Sequence, residues 1–130
     1  MKYTQDNCME EVLKVVPCFR ESWQEHLDCW DGKSAGLILD MIELAAYTNQ
    51  LFLRNEADEL KNLFSLVETM QNEGTQDVKD AIATGFLESI VNPVTKDTAY
   101  LPLLVSLLGE KSRAYCKEWL KFSGEELPGI

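Results

Sequence analysis

The sequence has few of the residues from which enzymes and metalloproteins build their sites. It contains one histidine, His26, and its four cysteines show no CxxC spacing, which argues against a zinc site. Phosphate-binding loops and the HExxH, GxSxG and calcium-loop motifs are all missing from the sequence. A di-iron bundle would need Glu-x-x-His motifs on two helices. We therefore expect no metal, no cofactor and no enzymatic activity.

Positive charge is also scarce. Lys and Arg total 12 against 22 Asp and Glu, which gives a formal net charge of −10. Nucleic acids and anionic membranes are bound through Lys and Arg, because these side chains contact phosphates. We expect neither as a partner. An acidic surface instead favours a basic protein partner, since long-range attraction accelerates encounter. Solubility alone is the alternative explanation of the same charge.

Long apolar runs are the third absence. A membrane span needs roughly 18 consecutive apolar residues. The densest apolar stretch, 100–108, is much shorter and contains Pro102. The first residues do not show the apolar core of a signal peptide, so we expect a cytosolic protein. Its thiols are then expected to be reduced and mostly buried. These thiols belong to Cys8, Cys18, Cys29 and Cys116.

Apolar residues with helical spacing fill most of the chain. The clearest stretch, 59–92, predicts two helices whose apolar residues recur at i, i+3, i+4 and i+7, the first from Leu60 and the second from Val78. Gly74 is expected to end the first helix in a left-handed conformation. Pro93 is expected to stop the second, because proline disfavours helical geometry in the residue before it.

The rest of the chain also reads as helical, without a strand. Further helices are predicted at 6–16, 17–30, 35–53, 98–108 and 111–122. Short turns between helices indicate antiparallel hairpins. We predict one all-α domain over 1–130, with about seven helices stacked as a HEAT- or armadillo-like α-α superhelix. An irregular helical bundle is the alternative. The last residues, 124–130, are expected to fray.

Acidic residues cluster on the helix predicted at 17–30. Glu21, Glu25 and Asp28 are spaced by four and three residues, so they share one helical surface although their charges repel. A surface that keeps this repulsion suits a cationic partner. The alternative is that Arg20, Lys33 or Arg54 neutralises these acids within the fold.

The helix predicted at 35–53 is apolar around most of its circumference. Asp40 and Glu43 are expected to mark its narrow solvent-facing strip, with Tyr47 one turn further on. Tyr47 is either a contact for a partner's cation or a half-buried ring. The expected packed stripe is Leu37, Ile38, Met41, Ile42 and Ala45. The complete candidate contact set is Glu21, Glu25, Asp28, Asp31, Asp40, Glu43 and Tyr47.

Three stretches form a recognisable set: FRESWQEHLDCWDG, LKNLFSLVETMQNEGTQDVKDAIATGFLESIVN and LLGEKSRAYCKEWLKF. Together they resemble a family of small, acidic, all-helical bacterial immunity proteins, whose members often occur beside polymorphic toxins. The resemblance covers most of the chain, and its positions are packing positions. It carries over no partner contact. The matching residues are Trp23, Phe64, Glu68, Gly85, Phe86, Leu87, Glu88, Gly109 and Trp119.

Two functions follow as hypotheses. The resemblance implies an immunity protein that neutralises a cognate basic toxin by occluding its active site. Such a toxin would be a nuclease of the contact-dependent growth inhibition type. Carboxylates would then occupy the places of substrate phosphates, giving fast, salt-sensitive association. The alternative is a non-catalytic helical-repeat adaptor or regulatory module, which could self-associate through 100–108. Of the oligomeric states we favour a monomer.

Overall fold

The computed structural model describes residues 2–32 and 36–130, which form seven α-helices and no β-strand. The all-α prediction is therefore confirmed, whereas the superhelical arrangement and its bundle alternative remain predictions. Three consecutive segments make up helix α5: Gln76–Asp80, the π-helical Ala81–Leu87, and Glu88–Val94. The other helices are α1 Cys8–Val15, α2 Arg20–Cys29, α3 Leu37–Leu53, α4 Ala57–Glu73, α6 Leu101–Leu107 and α7 Glu110–Ser123. Short 3-10 turns, Pro17–Phe19 and Thr98–Tyr100, precede α2 and α6.

Helices α3, α4 and α5 form the centre of the fold. α3 packs against α2, α4 and α5, while α4 also contacts α1, α6 and α7. Phe64 of α4 lies between Phe52 of α3 and Phe86 of α5, with ring centroids 6.1 Å and 5.6 Å away. All three rings are buried and meet edge to face, an arrangement that aromatic pairs prefer. This cluster joins the three central helices.

Helices α3 and α5 run side by side in the same direction. Gly85, in the middle of α5, touches the first turn of α3, since a Cβ on it would lie 2.6 Å from the Ile38 carbonyl oxygen and 2.9 Å from Met41 Cβ. At their far ends Leu53 and Val94 line one depression. The π-helical turn around Gly85 was not predicted, because its extra residue hardly disturbs the apolar spacing.

Two predicted helix endings differ from those observed. Gly74 is extended, with φ −89°. It forms an isolated β-bridge with Tyr3, in which the Thr75 N–H donates to the Tyr3 carbonyl at 2.9 Å. This isolated bridge replaces the left-handed cap. Pro93 lies inside the last turn of α5, which ends at Val94. Proline has no N–H to donate to the carbonyl four residues earlier, so the last turn of α5 lacks one hydrogen bond and the helix ends one residue later.

The C-terminal residues 124–130 pack rather than fray. Leu127 is buried, so the segment contributes to the core. The Arg113 guanidinium donates to the carbonyl of Val105 at 2.8 Å and also to the carbonyl of Gly129. The expectation of a frayed tail overlooked both an apolar anchor and a cation able to reach exposed carbonyls.

Candidate functional site

Helix α2 lies antiparallel across α3, held by a few side chains. No residue of α2 is fully buried. Phe19, in the turn before α2, places its ring 5.2 Å from that of Tyr47, and His26 Nε2 lies 2.9 Å from Asp40 Oδ1. Trp23 contacts the His26 ring at 5.5 Å. These contacts fix both the position and the direction of α2.

The pair of His26 and Asp40 corrects one predicted site residue. Asp40 was expected on the solvent-facing strip of α3, but its side chain is only 2% exposed and that of His26 9%. Asp40 is turned inward because α2 covers it and offers the imidazole. The sequence held a hint, since Asp40 is one of only two acids in an apolar helix and His26 is the only histidine. Fourteen residues separate the two, so local spacing could not pair them.

The outer face of α2 keeps its acids in solvent. Asp28 accepts a hydrogen bond from the Gln24 amide at 3.0 Å, and this uncharged donor does not neutralise the carboxylate. Within 2–32 and 36–130, Arg20 and Arg54 form no ion pair with these acids. Lys33, the third cation considered, lies outside the described residues. We call the exposed acids here the acidic face: Glu21, Glu25 and Asp28 of α2, and Asp31 in the turn after it.

The two remaining predicted contacts lie at the edge of this helix pair. Glu43 and Tyr47 are half-buried. Burial raises the pKa of the Tyr47 phenol, and the nearby carboxylate of Glu59 raises it further. The ring of Tyr47 packs against that of Phe19. The predicted set thus divides into four exposed acids, the half-buried Glu43 and Tyr47, and the buried Asp40.

The surface of α3 turned away from α2 is apolar and exposed. Ile38, Leu39 and Ile42 are 45%, 41% and 40% exposed, and Leu53 is 62% exposed. The expectation that Ile38 and Ile42 belong to the packed stripe is wrong. Because α3 is apolar on nearly every side, its periodicity could not decide which side the neighbouring helices cover.

Two depressions lie where α3 meets α5. The first, of about 410 Å³, brings Ile38 and Leu39 together with Asp77 and Asp80. The second, of about 190 Å³, lies at the other end of α3 beside Leu53. Its further lining residues include Phe52, Ile90, Pro93, Val94 and Tyr100. Both depressions open to solvent next to exposed apolar side chains of α3.

The cysteines divide equally between core and surface. Cys8 and Cys116 are buried, and burial raises the pKa of each thiol to about 12, so both stay neutral. Cys18 and Cys29 are exposed, which corrects the expectation of mostly buried thiols. In the part of the chain that the structure describes, no group of three or more His, Cys, Asp or Glu could hold a metal ion. None of the described helices is both long and apolar enough to cross a membrane.

Glu68 shows what the residues behind the family resemblance do. Its carboxylate accepts hydrogen bonds from the backbone N–H of Lys111 at 2.8 Å and of Ser112 at 3.1 Å. The Ser112 hydroxyl adds a third at 2.8 Å. Glu88 similarly accepts from the Tyr115 hydroxyl at 2.5 Å. These acids join helices rather than offer charge to a partner.

Comparison with known proteins gives one match. A family model described as a domain of unknown function, DUF7674, matches residues 9–124. Neither the curated proteins nor the solved structures contain a match to this chain. The resemblance to immunity proteins therefore stays a prediction. Because the model spans all seven helices, we conclude that the chain belongs to the DUF7674 family.

Proposed function

We propose that this protein is a non-catalytic inhibitor that binds a basic toxin through the acidic face and so acts as an immunity protein. The observation that supports this proposal is the state of the acidic face. Its four carboxylates are exposed, and no described cation pairs with them. A face of this kind is what a cation-rich partner would recognise.

The binding energy would come partly from relief of repulsion. Glu21, Glu25 and Asp28 occupy neighbouring positions on one helical surface, where like charges cost a few tenths of a kcal/mol per pair. A partner's Lys or Arg inserted among them removes this cost and adds attraction. The net charge of −10 would steer encounter over longer distances. If the toxin is a nuclease, the same carboxylates would cover the cations that hold its substrate's phosphates.

The partner to test is the product of the gene immediately upstream, produced together with this protein in the cytoplasm. We expect the two to co-purify and their association to slow as salt is raised. Reversing Glu21→Lys, Glu25→Lys and Asp28→Lys should raise Kd at least tenfold, or about 1.4 kcal/mol. Kd and association rate are measured by surface plasmon resonance at several salt concentrations.

A matched control separates the acidic face from net charge. The triple variant Glu118→Lys, Glu125→Lys and Glu126→Lys changes the charge equally, at exposed positions of α7 and the C-terminal segment. We expect this control to change the association rate but to change Kd less than threefold. Equal losses of affinity in the two triples would show that overall charge, and not the acidic face, governs binding.

A further inference from the structure

A second surface lies on the side of α3 turned away from α2, along the junction of α3 and α5. We call it the seam surface and define it by Ile38, Leu39, Ile42, Leu53, Asp77 and Asp80. Six large apolar side chains are exposed on the described residues, and four of them belong to this one surface. Singly scattered apolar residues need no explanation, whereas several on one helix face indicate a binding site.

The shape of the seam surface suits a helix. From Ile38 to Leu53 it follows α3 for 15 residues, which at about 1.5 Å per residue is about 22 Å. Ile38 and Ile42 are one turn apart and begin an i±4 ridge, the kind of ridge that packs into the groove of another helix. A depression lies at each end of this length, between α3 and α5.

The edge of the seam surface is acidic where α5 begins. Asp77 and Asp80 are exposed and border the depression that contains Ile38 and Leu39. Asp80 accepts a hydrogen bond from Gln76 at 2.8 Å, which leaves its charge uncompensated. Neither acid forms an ion pair with the described part of the chain. An apolar centre with charged edges is the usual composition of a protein interface.

The charges select the occupant. A second copy bound through this surface could offer Asp77 and Asp80 no cation, because the surface contains no Lys or Arg, and each copy carries a net charge of −10. A cationic helix meets no such repulsion. We propose that the seam surface binds a cationic amphipathic helix of a protein partner, with its apolar side on Ile38 and Ile42 and its Lys or Arg beside Asp77 and Asp80. This goes beyond the proposed function, because it holds for an inhibitor and for an adaptor alike.

The probe is a designed amphipathic peptide of about 18 residues, long enough to cover the seam surface, with leucine on one side and lysine on the other. We expect it to shift the methyl NMR signals of Ile38 and Ile42 with Kd below about 100 µM. The buried methyl of Ile82 serves as an internal reference that should not move. A peptide with the same leucines and glutamate in place of lysine should bind at least tenfold more weakly.

Variants then locate the site. The double substitution Ile38→Ser and Ile42→Ser, followed through the methyl signals of Leu39 and Leu53, should weaken binding of the lysine peptide at least tenfold, because it removes the apolar centre. Asp77→Asn with Asp80→Asn should weaken it and reduce its salt dependence. The matched control is Phe122→Ser, which removes a side chain that is 84% exposed on α7 and should leave Kd unchanged. An unchanged Ile82 methyl signal confirms that each variant is folded.

Three results would overturn the inference. The first is an unchanged Kd for the lysine peptide in the Ile38→Ser, Ile42→Ser variant. The second is equal affinity for the lysine and glutamate peptides. The third is a concentration-dependent shift of the Ile38 and Ile42 signals without peptide, since this would make a second copy the occupant. None of these results depends on the acidic face, so the proposed inhibitor function is tested separately.

Discussion

The imidazole of His26 and the carboxylate of Asp40 meet beneath α2, where their side chains are 9% and 2% exposed. A hydrogen bond to a charged group is stronger than a neutral one and is costly to lose when buried. Because α2 has no fully buried residue of its own, this contact carries an unusual share of its attachment. The position of the acidic face thus depends on a residue that lies outside it.

We expect His26→Phe to lower the free energy of unfolding by about 2 kcal/mol. The new ring retains the contact with Trp23 but cannot bond Asp40. Urea denaturation measures the loss, and amide hydrogen exchange in α2 should accelerate more than in α4. Glu25→Gln, at the neighbouring exposed position, should stay within about 0.5 kcal/mol of the parent protein. If the two substitutions change the free energy of unfolding equally, the buried pair of His26 and Asp40 does not stabilise the protein.

The two buried thiols predict a loss of stability in alkali. Cys8 and Cys116 have an ordinary pKa of 9.0, raised to about 12 by burial, so the folded state holds both protons more tightly than the unfolded state. The contribution of these protonated thiols to the stability of the fold is complete below pH 9 and disappears as pH rises towards 12. At pH 10 the loss is about 1 kcal/mol per thiol.

Urea denaturation between pH 8 and pH 10, about one unit either side of the ordinary thiol pKa, measures how steeply the free energy of unfolding falls as pH rises. Replacing both residues, Cys8→Ala and Cys116→Ala, should flatten this slope even though the variant is less stable at every pH. The exposed pair supplies the control, since Cys18→Ala with Cys29→Ala should keep the parental slope. If stability falls equally steeply with pH in both double variants, groups other than the buried thiols cause the loss of stability in alkali.

At the scale of elements, α7 begins where a distant helix provides its cap. The first turn of a helix has N–H groups without partners inside the helix. Glu68 of α4 accepts from two of them, those of Lys111 and Ser112. Its negative charge also suits the positive end of the helix dipole. Glu68 is among the packing positions of the family resemblance, but its partners could not be read from a local pattern because they lie over forty residues away.

We expect Glu68→Ala to destabilise the protein by about 1–2 kcal/mol, the usual cost of losing a helix N-cap. Amide exchange should increase first at Lys111 and Ser112. The comparison variant is Glu73→Ala, an exposed acid on the same helix, with an expected change below about 0.5 kcal/mol. If the amides of Lys111 and Ser112 stay as protected as in the parent protein, Glu68 is not the cap.

At the scale of elements, the sequence predicts those features of the fold that depend on residues close together along the chain. All seven predicted helices agree with observed ones to within a few residues, because their apolar spacing and turn residues are local. The π-helical turn and the last turn at Pro93 were missed, since tertiary packing permits both. On α3, local signals could not separate Ile38, which is exposed, from Met41, which is buried.

At the scale of the whole molecule, charge opposes self-association. Two copies would each bring a net charge of −10. The segment 100–108, through which an adaptor could self-associate, turns Leu101, Leu104 and Leu108 into the core. Its remaining leucines are half-buried. The apolar character of this segment is therefore largely used in packing.

We expect a monomer of 14.8 kDa in solution at about 100 µM and physiological salt. Light scattering coupled to size-exclusion chromatography gives the mass. Raising the salt concentration screens the repulsion, so any weak dimer should appear there first. A dimer at low salt would contradict the role given to net charge and would favour the self-associating adaptor.

The sequence by itself determined the helices, the all-α class and the acidic face, because each depends on residues close together along the chain. The tertiary structure alone decided which side of α3 is covered, and with it the burial of Asp40 and the exposure of Ile38 and Ile42. The physical reason is that burial depends on which helices pack against a surface. An apolar helix offers several equivalent sides, and only its neighbours choose among them.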